Sequence, residues 1–150
     1  MMARLAGLAI DARFALRGTM PGAGEAIARA HAARWIAANA LATRGVRVAV
    51  EGTPPREPSV LALHATSLVA AIAAIAALPV LIDAATLPCR WRLALRALGL
   101  PTLDRSAADA LAAGASVLSS HAAGPCELAV DRESRGYRVR LGWQARTLTA

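Results

Sequence analysis

A stretch of 23 residues without a formal charge, from Val60 to Ile82, constrains this chain more than any other feature. Such a stretch has to be buried, either in a protein core or in a lipid bilayer, and it is long enough to span the latter. His64, Thr66, Ser67 and Pro79 interrupt it, and its main residue, Ala, is only weakly apolar. The sequence therefore favours burial in a protein core, with a membrane-spanning helix as the alternative.

Within this stretch the residue pattern changes twice. It predicts a strand over 59–63, a helix over 67–77 and a second strand over 80–82. Both strands are nearly continuous apolar runs of the kind that is buried on both faces of a sheet. Thr66 or Ser67 can cap the helix. His64 closes the first strand at the corner that leads into the helix, where it could act as a base at the mouth of a pocket.

The rest of the chain alternates between helical and extended patterns, separated by Gly and Pro. We predict helices over 2–17, 24–43, 89–98 and 106–113, strands over 46–51, 100–103 and 116–119, and a C-terminal hairpin of 127–131 and 137–141. This alternation predicts a single small α/β layered domain, with a mostly parallel or mixed sheet flanked by Ala-rich helices.

The predicted elements divide into two regions. Residues 1–45 hold the N-terminal amphipathic helices, which either pack on the domain or lie on an anionic membrane surface. Residues 46–150 form the α/β core and end in the hairpin. The opening residues, 1–10, contain Arg4 and lack a clear cleavage site, so they make a poor signal peptide. A cytoplasmic protein is expected, with peripheral association at the inner membrane face as a further option.

The net charge and composition limit the kinds of partner that this chain is expected to bind. The net charge is +7, and every basic side chain is Arg, which favours anionic partners. Only 3% of residues are aromatic, too few for base stacking, so nucleic acid is not expected. Cys89 and Cys126 do not make a disulfide framework. The three histidines have no metal-ligand spacing, and no metal or cofactor is expected.

The residues around His64 resemble a known motif. The PlsC-type lysophospholipid and glycerol-phosphate acyltransferases have a strand ending in Asn-His, then four residues, then Asp. In this chain His64 is present, Leu63 stands at the Asn position, and Val69 stands at the Asp position. The resemblance implies an acyltransferase-like fold around a histidine site from which the family's acid is missing.

The order of elements after His64 is also similar to that family. The segments that carry the resemblance are Leu81–Pro88, Trp91–Gly99 with its Leu-Gly end, and Thr102–Ser106 with its Asp-Arg pair. Where the family has Phe-Pro-Glu-Gly-Thr, this chain has Ser119-Ser-His-Ala-Ala123. The resemblance covers about residues 30–123, in order and spacing more than in diagnostic residues.

The resemblance implies a role for each matching residue. His64 would be the catalytic general base that takes a proton from a hydroxyl as it attacks an acyl thioester. Arg105 would bind the phosphate of the substrate. Ser67 is a further candidate for substrate binding, and it could also hold the His64 ring in the absence of the acid. Asp104 is also a candidate substrate-binding residue, and its position before the helix over 106–113 would allow it to cap that helix. Asp83 or Asp104 could replace the missing acid from another direction.

Two functions follow as expectations. The first is acyl transfer from acyl-CoA or acyl carrier protein, as co-substrate, to a lysophospholipid or another hydroxyl acceptor in phospholipid biosynthesis. The second is a non-catalytic pseudoenzyme that binds lipid, acyl carrier protein or a partner enzyme. The lost Asp and Glu-Gly-Thr favour the second function, and the family resemblance favours the first.

Overall fold

The computed structural model describes residues 23–104, 106–121 and 126–143 of the chain. The predicted helix over 2–17 and Arg105 lie outside them. The described residues form four helices, α1 (Ala23–Thr43), α2 (Leu68–Ala77), α3 (Cys89–Ala97) and α4 (Ala107–Ala112), and a short 3-10 turn over Ala84–Thr86. The same residues form six strands, β1 (Arg47–Glu51), β2 (Val60–His64), β3 (Val80–Ile82), β4 (Ser116–Ser119), β5 (Cys126–Glu133) and β6 (Gly136–Trp143).

The strands form one mixed sheet in the order β1-β6-β5-β2-β4-β3. Strands β5, β2, β4 and β3 run parallel to one another. The hairpin partner β6 reverses direction, and β1 pairs parallel to it. The predicted α/β domain with a mixed sheet and Ala-rich helices is confirmed. The hairpin strands extend further than the sequence pattern predicted.

The uncharged stretch forms a strand, a helix and a strand, and none of the helices in the described residues combines the length and apolar character needed to cross a membrane. Ser67 caps α2, because its hydroxyl oxygen accepts from the Ala70 N–H at 3.2 Å. In α2, residues 70–75 are all buried. The helix is therefore an interior element, and its Ala residues let its neighbours approach closely.

The two faces of the sheet bury different side chains. On one face, Leu61, Leu128 and Val139 are fully buried in a large core beneath α1 and α2. On the other face, Leu81 and Val117 join a smaller core with α4. This second face is covered where β3 and β4 form it. Where β5, β6 and β1 form it, the face carries exposed charged residues. The polar half of that face adjoins the end of β2.

The predicted strand over 100–103 is wrong. The segment returns to the sheet and makes one backbone hydrogen bond to β3, in which the Leu103 N–H donates to the Ile82 carbonyl at 2.9 Å. Pro101 has no N–H to donate, so a continuous ladder cannot form beside β3.

Candidate functional site

His64 is the last residue of β2 and lies at the carboxyl end of a buried strand. Its neighbours Leu61, Ala62 and Leu63 are at most 4% exposed, whereas the His64 side chain is 62% exposed. Side chains alternate along a strand, so His64 shares a face with Ala62 and lies opposite the face that α2 covers. In open α/β sheets, ligands bind outside the carboxyl ends of the strands.

The structure places a carboxylate beside the imidazole of His64. Glu127 lies in the neighbouring strand β5, where it is in register with Ala62, so it sits diagonally across from His64 on the same face. The distance from His64 Nε2 to Glu127 Oε2 is 3.6 Å. This separation is too long for a hydrogen bond, but it allows an ion pair when the imidazole is protonated. The Glu127 side chain is about half-exposed.

Val69 occupies the position of the family's orienting acid, but it lies on the other side of the sheet. It is in the first turn of α2 and packs against the large core. His64 points away from that core. Although Val69 is close to His64 in sequence, it therefore lies on the opposite face of the sheet from the imidazole. The carboxylate beside the ring comes from a distant part of the sequence.

Sequence reasoning missed Glu127. It occupies an alternate position of the predicted strand over 127–131, and alternation alone marks it as one of several polar residues on one face. Its pairing with His64 depends on β5 lying beside β2, although 61 residues separate the end of β2 from the start of β5. No local signal in the sequence specifies that neighbour.

The other predicted site residues that the structure describes, Ser67 and Asp104, have partners outside this pair. The oxygen of Ser67 caps α2. The carboxylate of Asp104 is 3.5 Å from the guanidinium of Arg29 in α1. The predicted capping of α4 by Asp104 is wrong, because Ser106 directly precedes the helix and its hydroxyl accepts from the Asp109 N–H at 3.2 Å. Arg105 lies outside the described residues.

Asp83 does not reach His64 in place of the missing acid. It follows β3, and its carboxylate caps the 3-10 turn by accepting from the Ala85 N–H at 3.3 Å. The two aspartates proposed as substitutes are thus each held by other partners, a helix cap for Asp83 and Arg29 for Asp104.

The loops that follow β3 and β4 are joined to each other next to the carboxyl ends of these strands. The Ser120 N–H donates to Thr86 Oγ1 at 3.2 Å, and the Ser120 hydroxyl donates to the Thr86 carbonyl. The His121 N–H donates to the Ser119 hydroxyl at 3.4 Å. His121 itself is exposed. These bonds fix the chain that borders the end of β2 up to residue 121.

A surface depression lies on the covered part of the second face, between α1 and α4. Glu25, Arg29, Asp104 and Asp109 line it, and His64 does not. Within the described residues, the Nε atom of Arg29 is buried without a hydrogen-bond partner. In the ranges 23–104, 106–121 and 126–143, no three His, Cys, Asp or Glu side chains are grouped to hold a metal ion.

No protein-family model, no curated protein and no solved structure matches this chain.

Proposed function

We propose that the chain transfers an acyl group from a thioester to a hydroxyl acceptor, with His64 as the general base and Glu127 as its orienting acid. The observation that carries this proposal is the carboxylate 3.6 Å from the imidazole at the carboxyl end of a buried strand. It supplies, from β5, the group that the motif around His64 lacks at Val69. The resemblance described above supplies the reaction class.

In the proposed reaction, Nε2 of His64 carries its proton toward Glu127, and Nδ1 takes the proton of the acceptor hydroxyl. The acceptor oxygen then forms a bond to the thioester carbonyl carbon, and the carbon–sulfur bond breaks. The leaving thiolate takes the proton back from the imidazolium as the thiol of coenzyme A or of an acyl carrier. Glu127 stabilises the transient imidazolium, because an opposite charge nearby favours the protonated form.

The separation of the two side chains is compatible with this role. Catalytic hydrogen bonds are often long before substrate binds and shorten in the reactive complex. A bound acceptor would also cover the imidazole, and the resulting loss of water would strengthen its attraction to Glu127. By the resemblance, the acceptor is a lysophospholipid whose phosphate is bound by Arg105. Ser67 and Asp104, which were also expected to bind substrate, are held instead by the cap of α2 and by Arg29.

Non-catalytic binding is the second candidate, and one observation favours it. His64 is 62% exposed, so water surrounds the ring and weakens its coupling to a carboxylate. In that case the same face of the sheet would bind an acyl carrier, a lipid or a partner enzyme without turnover.

The test is acyl transfer from long-chain acyl-CoA, and separately from acyl carrier protein, to lysophosphatidate. We expect His64→Ala to lower kcat/KM about 10²–10⁴-fold, the usual contribution of a general base. Glu127→Gln should lower it less, about 10–100-fold, because the pair is partly solvated. His121→Ala is the matched control, an exposed histidine outside the pair, and should retain activity.

Three outcomes separate the two candidates. Activity that falls with His64 and Glu127 but not with His121 supports the proposed reaction. Activity in all four proteins would assign the turnover to other residues. If neither donor is consumed, yet acyl carrier protein or lysophosphatidate vesicles bind the native protein and not His64→Ala, the binding candidate stands.

A further inference from the structure

The outer edge of β1 is open to pairing. Within the described part of the chain, β1 pairs with β6 alone and ends the sheet. The Arg47 N–H donates to the Arg135 carbonyl at 3.1 Å, which fixes the phase of the ladder. Because hydrogen-bonding direction alternates along a strand, the odd-numbered residues of β1 bond to β6. The N–H and C=O groups of Val48 and Val50 therefore point outwards.

The sequence of β1, Arg-Val-Ala-Val-Glu, is complementary to itself in the antiparallel direction. A two-fold axis through Ala49 places Val48 opposite Val50 of a second copy, and Arg47 opposite Glu51. The outward groups of the valines then meet as hydrogen-bonded pairs and make four backbone bonds. Arg47 and Glu51 fall at the non-hydrogen-bonded positions, where opposite side chains are closest.

The side chains of β1 favour this arrangement over others. Val50 is 46% exposed, one of few large apolar side chains so placed among the described residues, and Val48 of the copy would cover it. In the same residues Arg47 forms no ion pair, and the Glu51 carboxylate contacts Arg138 of its own chain. Parallel pairing would oppose like charges, and antiparallel pairing opposes unlike ones.

We propose that β1 is a homodimerisation edge, through which two copies join their sheets into one continuous sheet about a two-fold axis. Proteins usually block such edges with charge or Pro. Here the charges at the two ends of the strand have opposite signs and the strand has no Pro, so the edge excludes most partners and accepts its own copy. The interface is small, so the dimer should form in a concentration-dependent way.

This proposal is independent of the proposed reaction. His64 lies in β2, three strands from β1 in the sheet order, or about 14 Å at the usual strand spacing. His64→Ala should therefore leave the dimer intact, and substitutions in β1 should leave the histidine site in place.

The experiment is sedimentation velocity over a range of concentrations from about 10 μM to 1 mM, where weak interfaces associate. We expect the native protein to dimerise. Arg47→Glu gives an edge with two carboxylates, and Glu51→Arg gives an edge with two guanidinium groups, so each variant alone should associate at least tenfold more weakly. An equimolar mixture of the two should dimerise, because both ends of the ladder again oppose unlike charges.

Two further variants make the test specific. Arg92→Glu makes the same charge change on exposed α3 and should dimerise like the native protein. Val50→Pro removes an outward N–H without touching the β6 ladder and is tolerated at such edges, so it should be monomeric with an unchanged circular dichroism spectrum. A native protein that stays monomeric throughout, a dimer that persists in Arg47→Glu or Val50→Pro, or a mixture that stays monomeric would each overturn the proposal.

Discussion

At the scale of single residues, the close approach of β1 and β6 depends on Gly136. A Cβ atom at this position would lie 1.9 Å from the Arg47 carbonyl oxygen, which is backbone and cannot move aside. Gly142, at the other end of the same strand, has no such constraint, because a Cβ there would first meet the Glu127 carbonyl oxygen at 3.9 Å. Of these two glycines in β6, only Gly136 is at a position where a larger residue would clash with the neighbouring strand.

We therefore predict that Gly136→Ala lowers the free energy of unfolding by more than about 2 kcal/mol, since the two strands must separate to admit the methyl group. Gly142→Ala should change it by less than about 0.5 kcal/mol, as for an ordinary surface substitution. Urea denaturation followed by circular dichroism measures both. Equal losses in the two variants would mean that the β1–β6 approach is not the constraint described here.

At the scale of elements, the pairing of α1 with α2 is made by small side chains. Ala33 and Ala37 of α1, and Ala71, Ala73 and Ala74 of α2, are fully buried. Alanine loses no side-chain entropy on burial, and its size lets two helices pack at short range. The consequence is an interface of small, fully buried side chains with little tolerance for larger ones.

Ala37→Leu should lower the free energy of unfolding by about 1–3 kcal/mol, because three extra carbon atoms have to be accommodated between packed helices. Ala38→Leu provides the control, since Ala38 is the exposed next residue of the same helix and the helix propensities of the two residues are similar. Thermal or urea denaturation distinguishes them. If both variants are as stable as the native protein, α1 is not held by close packing.

At the scale of the whole molecule, the large core is continuous from α1 through the sheet to β6, and Cys126 lies within it. Cys126 is fully buried in β5, whereas Cys89 is exposed at the start of α3. Burial, and then the charge of Glu127, raise the pKa of the Cys126 thiol above its usual value. Both effects oppose the thiolate, which is the reactive form.

We predict that a thiol reagent modifies Cys89 rapidly at neutral pH and Cys126 only when the molecule opens globally. The rate at Cys126 in increasing urea should follow the free energy of unfolding, as measured by peptide mass spectrometry. Because the folded pKa is raised, the thiol contributes stability below about pH 8.5, and this contribution is lost as the pH rises further. Cys126→Ala should reduce that alkaline loss. Modification of both thiols at equal rates would contradict a buried Cys126.

The histidine site shows how far sequence reasoning extends toward function. The sequence marks His64 because it is a polar residue that closes an apolar run, and the structure places it at the end of β2. The sequence offers Asp83 and Asp104 as the acid beside it, because both are near the ends of other predicted strands. Both are held elsewhere, and Glu127 lies beside the ring instead.

Local patterns in the sequence determined the described helices, most strands, a helix cap at Thr66 or Ser67 and the reversal of the hairpin, because these depend on periodicity, Gly, Pro and neighbouring hydrogen bonds. Only the tertiary structure decided the strand order, the face to which His64 points, the partner of Asp104 and the open edge at β1. Each of these depends on which distant strands pair, and such contacts are set by the packing of the whole core.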